Sequence, residues 1–354
     1  MDMTTTTMKV IDCDVHNMLK SSADLVPYLK EPWKSMVANF GLHMPGTYAS
    51  PIGVMRKDAI PPGGGVAASD PDFLVEQLVK PYRMEYAILT GGVFGVNVHP
   101  DPDYAAAVAS AYNDYLIAEW LPRHTSFKGA MIIPVQDPQQ AVREIERIGP
   151  HPDIVEIMLA SASPIPYGNR LFHPIYEAAE RHGLPIGIHP GSEGGGTSGP
   201  PTAAGYPTNY LQWHTSLSQN FMAHLTSLVC EGVFEKYPRL RFVLVEGGVA
   251  WLPHLMWRLD KNYKALRWTV PWLKRLPSEY IRDHCFLTTQ PIEEPEDFEQ
   301  LKQIFDMIDA ERMLLFSSDY PHWDFDDPTR ILRRLPEHAR KRIFYENAKE
   351  LYNL

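Results

Sequence analysis

Apolar residues along this chain fall into two alternating rhythms. Short runs rich in Val, Ile and Leu occur at 8–15 (MKVIDCDV), 85–90 (EYAILT), 127–133 (FKGAMII), 153–159 (DIVEIML), 184–189 (LPIGIH), 240–246 (LRFVLVE), 285–289 (CFLTT) and 313–319 (MLLFSSD). Their shortness and β-branched content read as buried strands. Between most of them the apolar spacing lengthens to that of a helix, most clearly over 103–121, 138–148, 173–182, 213–236, 250–266, 296–309 and 337–352. Strand and helix alternating from end to end predict βα units and a parallel sheet. Eight strands in succession favour a closed (β/α)8 barrel, an α/β fold, over an open doubly wound sheet.

Two segments break the rhythm. Residues 18–80 follow the first strand, contain the Pro/Gly-rich stretch IPPGGGV (60–66) and are too long for a simple loop. They are expected to form a partly helical insertion, a lid over the barrel mouth, within a single domain spanning 1–354. Residues 190–212 form a second irregular stretch after strand five. Its triple glycine at 194–196 is not followed by Gly-Lys-Ser/Thr, so it reads as a flexible active-site loop and not a phosphate loop. No internal repeat or heptad seam is present.

Composition narrows the function. With 44% hydrophobic and 21% charged residues the chain reads as globular. A formal net charge of -10 provides no footprint for nucleic acid or for anionic membrane. No apolar stretch reaches the ~18 residues of a membrane span. The N-terminus MDMTTTTMKV lacks the basic and apolar regions of a signal peptide. Cys13, Cys230 and Cys285 are odd in number and far apart, which fits a reducing compartment. A cytoplasmic enzyme acting on a small molecule is the expectation.

The chemistry lies where the strands end. In a (β/α)8 barrel, catalytic groups occupy the C-terminal rim. Strand one ends in Asp14 and His16, strand five in His189, strand six in Glu246, strand seven in Thr288, Thr289 and Gln290, and strand eight in Asp319 with His322 just beyond. Asp14 and His16 are two residues apart and share a strand face. Asp12 falls one layer deeper and reads as a supporting carboxylate. Two imidazoles and two carboxylates, from Asp14, His16, His189 and Asp319, suit one divalent ion with a position left for water. Zinc is the first choice, with manganese or iron as alternatives. Taken singly, each of these residues also reads as a satisfied buried histidine or a helix cap. The joint reading rests on their falling at strands one, five and eight.

The segments VIDCDVH, GLPIGIHPG, VEGGVAWLPHLMWRLD and LLFSSDYPHWDFDDP resemble the amidohydrolase superfamily. The branch they resemble includes aminocarboxymuconate-semialdehyde decarboxylase and the resorcylate and carboxyvanillate decarboxylases. The resemblance implies a distorted (β/α)8 TIM barrel with one metal, held by Asp14, His16, His189 and Asp319. It also implies oligomers, a homodimer being expected, with Phe344, Tyr345 and Leu351 as candidate contacts. No lysine ends strand four, which favours a mononuclear site. Relatives carry a histidine where this chain has Glu246.

That difference steers the expected reaction. A third carboxylate makes the pocket less welcoming to an anion. It suits hydrolysis of an amide, imide, lactone or ester by metal-activated water, with Asp319 moving the proton and Glu246 as a second acid/base. An ion pair of Glu246 with Arg258 or Arg241 is the bland alternative. Non-oxidative decarboxylation of an aromatic or semialdehyde acid is the rival reaction, with Arg170 needed to offset Glu246. His214 is a further catalytic candidate. His322, Trp251, Arg170 and Tyr210 are substrate-binding candidates, with Trp323 and Tyr206 as possible aromatic walls. His99 is a weaker candidate for the pocket, and His254 reads as structural.

Overall fold

The strands are short, and each is followed by the helix that carries the chain back to the start of the next. The computed structural model describes residues 8–49 and 53–354. The strands are β1 (Val10–Val15), β2 (Met84–Leu89), β3 (Phe127–Ile132), β4 (Ile154–Ala160), β5 (Ile186–His189), β6 (Phe242–Leu244), β7 (Cys285–Thr288) and β8 (Leu314–Leu315). They pair in parallel in sequence order. The ring closes where Cys13 N–H donates to Phe316 O at 3.0 Å and His16 N–H to Tyr320 O at 2.8 Å. The architecture is a (β/α)8 barrel. Helices cover parallel strands on the outside, so both strand faces are buried, and every residue of β1 and β4 is buried, the carboxylates of Asp12, Asp14 and Glu156 included.

Two strands stop earlier than their apolar runs. The runs at 240–246 and 313–319 leave the ladder at Leu244 and Leu315. Beyond them Glu246 and Asp319 adopt left-handed backbone, with φ of 59° and 56°. An apolar run does not record where the backbone turns. The run at 213–236 resolves into Tyr210–Thr215, Ser218–Cys230 and Val233–Lys236. Asn209 caps the first of these through Gln212 N–H (3.1 Å). Gly232, at φ 73°, breaks the second from the third. Asp101 caps Pro102–Tyr115 in the usual Asp-Pro manner.

The core runs through the strands and under the C-terminal helices. Phe344 is fully buried and stacks on Phe316 (centroids 4.8 Å apart), so it belongs to the core and not to a subunit contact. Tyr345 is tied to Glu85 at 2.9 Å. Residues of the long β1–β2 connection reach the rim. Trp323 N–H donates to Val54 O (2.8 Å), Arg56 N–H to Pro321 O (2.8 Å) and Tyr48 N–H to Glu193 O (2.9 Å). Among the described residues, no helix is long and apolar enough to cross a membrane.

Candidate metal centre and active site

Five strand-end side chains converge. Asp14, His16, His189, Glu246 and Asp319 each present a donor atom, all within 4.8 Å of one another and all buried. The histidine tautomers are set by their far sides. His16 Nδ1–H donates to Gly91 O (2.6 Å) and His189 Nδ1–H to Pro190 O (2.6 Å), because a carbonyl can only accept. Each ring therefore turns its Nε2 inward, free to bind a metal once it carries no proton. His16 Nε2 faces Asp319 Oδ1 at 3.1 Å. His189 Nε2 faces Glu246 Oε2 at 3.2 Å and Asp14 Oδ2 at 3.3 Å. Neither His189 Nε2 nor Asp14 Oδ2 has a hydrogen-bond partner.

The electrostatics of the cluster call for positive charge. Burial by itself lowers the pKa of His189, but Asp14, then Glu246 and Asp319, outweigh it and push it up to about 10. Burial raises a carboxyl, yet His322 and His16 hold Asp319 well below the carboxylate range. The orphaned inward atoms, fixed tautomers and three carboxylates fit a divalent cation.

The supports are local. Thr90 Oγ1 donates to Asp14 Oδ1 (2.8 Å) and orients it. Asp12 lies deeper and accepts from Ser318 N–H (2.9 Å) and Asp14 N–H (3.2 Å), joining the ends of β1 and β8. Burial pushes its carboxyl up to about 7. Phe94 stacks on His189 with centroids 4.6 Å apart. The left-handed turns at Glu246 and Asp319 cost on the order of 1 kcal/mol each and aim the two carboxylates at the cluster.

Residues 11–354 match the profile of the Amidohydrolase family. The chain belongs to this family. Gamma-resorcylate decarboxylase from Polaromonas sp. JS666 is 28% identical over 290 residues, covering 78% of this chain and 86% of that protein. The enzyme of the same name from Rhizobium sp. MTP-10005 is 26% identical over 292 residues, with the same coverage of 78% and 86%. Two solved structures share the fold. Dihydroxybenzoic acid decarboxylase from Polaromonas sp. JS666, with bound manganese and 2-nitroresorcinol, has a TM-score of 0.67 at 21% identity, covering 98% of this chain and 97% of its own. 5-Carboxyvanillate decarboxylase from Novosphingobium aromaticivorans, with manganese and 4-hydroxy-3-methoxy-5-nitrobenzoic acid, has a TM-score of 0.69 at 20% identity, covering 98% and 96%.

In this amidohydrolase the cluster opens into a cavity of about 230 Å³. Of the substrate-binding candidates, His322 and Tyr210 line it. His322 Nδ1 meets Asp319 Oδ1 at 2.5 Å, and although burial opposes it, Asp319 pushes His322 up to about 9. His214 stands behind, its Nε2 3.7 Å from Glu246 Oε1 and 3.6 Å from Asp324 Oδ2. Burial lowers its pKa, and Glu246 and Asp324 raise it on balance.

Two expected binders are elsewhere. Trp251 Nε1–H donates to Gly247 O (2.8 Å) and Gly248 O (3.1 Å), which pins the indole to its own turn and away from the cavity. Arg170 is exposed, because Asn169 caps a helical turn at Arg170–Phe172 and leaves the guanidinium outside, near His173. The bland alternative for Glu246 falls too. Arg241 bonds to the Pro238 and Leu240 carbonyls, and Arg258 is exposed. His99 turns back to Asp101 and does not line the cavity. Tyr206 and Trp323 are exposed at 59% and 57%, on the rim and not inside. Sequence reasoning missed Asp324, Phe94, Thr90, Met18, Val54 and Met55. All lie beyond strand ends or in loops, where no periodicity marks an inward face.

Proposed function

We propose that this amidohydrolase is a metal-dependent, non-oxidative decarboxylase of a small aromatic carboxylic acid. The observation that carries the reading is a buried five-donor centre at the base of a small cavity with Phe94, Tyr210 and Trp213 in its walls, in a chain whose curated relatives are named as decarboxylases. The sequence favoured hydrolysis because Glu246 adds negative charge and Arg170 was the available offset. The offset comes from His322 in the cavity wall and His214 behind Glu246, whose pKa values are both raised, so a carboxylate substrate is no longer disfavoured. The curated relatives move the preference from hydrolase to carboxy-lyase.

Asp14, His16, His189, Glu246 and Asp319 would hold the ion. Three hard carboxylates beside two imidazoles suit manganese better than zinc, whose sites favour fewer ligands and more N or S donors. Manganese replaces zinc as the proposed metal. When bound, it supplies Lewis-acid attraction for the substrate carboxylate and an adjacent hydroxyl oxygen. Phe94, Tyr210 and Trp213 offer faces to a planar ring. The His322–Asp319 pair holds a proton beside the centre. It is delivered to the ring carbon that bears the carboxylate. The carbon–carbon bond then breaks, its electron pair returns to the ring, and carbon dioxide leaves. Solvent restores the proton on His322.

The test is manganese-loaded enzyme on a panel of ortho-hydroxylated aromatic acids and a panel of cyclic amides and lactones. Carbon dioxide with stoichiometric decarboxylated product is expected from at least one acid. Hydrolysis of an amide or lactone with no carbon dioxide from any acid would restore the hydrolase reading.

A further inference from the structure

A second cavity, of about 350 Å³, lies against the catalytic one. Its walls include Leu42, Met44 and Pro45 from the β1–β2 connection and Val93 from the loop after β2. No Asp, Glu, Lys, Arg or His lines it. Of its two large polar groups, Tyr112 O–H donates to Asn17 Oδ1 at 3.1 Å, and Asn17 Nδ2 is buried without a partner. The catalytic cavity is the opposite, with three histidines and three carboxylates in its lining.

The partition between the two is one residue thick. Met18, Thr47, Gly92, Phe94 and Gly191 line both cavities. Two of these have no side chain, and the other side chains fill the space. A Cβ at Gly92 would meet Met18 Sδ at 2.9 Å, and a Cβ at Gly191 would meet Phe94 Cβ at 3.0 Å. Met18 is unbranched and flexible, so its thioether is the movable part of the wall. The second cavity more than doubles the room available beside the metal centre.

We infer that this neutral chamber receives an apolar substituent of the substrate, past Met18, while the acid and hydroxyl groups stay at the metal centre. The inference rests on the decarboxylase reading and narrows it: the substrate is an ortho-hydroxylated aromatic acid bearing a short alkyl or aryl group. Burying each methylene of that group in an apolar chamber is worth about fourfold in affinity.

The probes are 2-nitrophenol and its propyl-substituted isomers, in which a nitro group stands where the carboxylate would be. They cannot lose carbon dioxide, so calorimetry on the manganese-loaded full-length enzyme reads binding apart from turnover. At least one propyl isomer is expected to bind tenfold or more tightly than the parent. Leu42→Trp, which fills the chamber, should collapse that ratio to near one. Gly46→Leu should do the same, since a Cβ there meets nothing within 4 Å, and it serves if Leu42→Trp does not fold. No tighter isomer, or a ratio that survives both substitutions in folded protein, overturns the inference. Carbon dioxide from 2-hydroxybenzoate without a propyl advantage would sink the chamber and leave the reaction standing. A propyl advantage without carbon dioxide from any acid would do the reverse.

Discussion

Glu246→Gln keeps the length and shape of the side chain and removes one charge from the centre. Its effect on metal affinity follows from a competition. The donor atoms lie within 4.8 Å of one another, so a dication at their focus sits at about half that distance from each carboxylate, closer than Glu246 Oε2 is to His189 Nε2 at 3.2 Å. The metal must displace the proton that the same carboxylates favour on His189, and Glu246 attracts both. A doubly charged ion at the shorter distance is attracted more strongly than that proton, so the variant should bind manganese at least about tenfold more weakly, roughly 1.4 kcal/mol. A chelator-competition titration at neutral pH measures it directly, with circular dichroism as the control for folding. A manganese Kd within threefold of the parent enzyme would mean that Glu246 does not face the cation.

Three further outcomes are expected. Asp319→Asn removes both a donor and the proton path through His322, and should lower turnover at least ~100-fold with an unchanged circular dichroism spectrum; full activity would take Asp319 out of the mechanism. Chelation of a site saturated at about a thousand times Kd should remove about 4 kcal/mol and lower Tm by about 5 °C, and an unmoved Tm would argue against a resident ion. His224 is buried with Nε2–H on Ser161 O (2.8 Å), and burial pushes it down to about 4 from 6.5. The folded ring stays neutral where the unfolded chain binds a proton, so this stability is complete above pH 6.5 and is lost as pH falls toward 4. Between pH 7 and pH 5 the parent enzyme should lose about 2 kcal/mol more than His224→Gln in urea unfolding; equal losses would refute the neutral buried ring.

The barrel and most of the centre were legible because two periodicities carry them. Buried parallel strands are mostly apolar, so Asp14, His16, His189 and Asp319 stand out at the ends of their runs. Glu246 was read as an acid/base beside the metal, and its carboxylate instead joins the donor cluster. The difference lies in a left-handed turn that residue type alone does not announce. Arg170 and Trp251 failed for the opposite reason. Each was assigned from its chemistry in a loop, where direction is set by local bonds: the Asn169 cap for one, the Gly247 and Gly248 carbonyls for the other. Asp324 was hidden in the acidic run WDFDDP, where one carboxylate turns toward His214.

Three carboxylates share one buried space, where negative charges repel, and two of them stand on backbone that a non-glycine residue adopts at a cost. Nothing in the packing of the barrel requires this arrangement, since apolar residues at the same strand ends would bury more favourably. A positive charge at their common focus turns each repulsion into attraction and repays the strained turns. The same charge sets the limit on the substrate. The charged end of the molecule must lie at the centre, and the neutral chamber beyond Met18 accepts only what carries no charge. Polarity therefore divides along the line of Met18 and Phe94, and a substrate spanning both cavities must be polar at one end and apolar at the other.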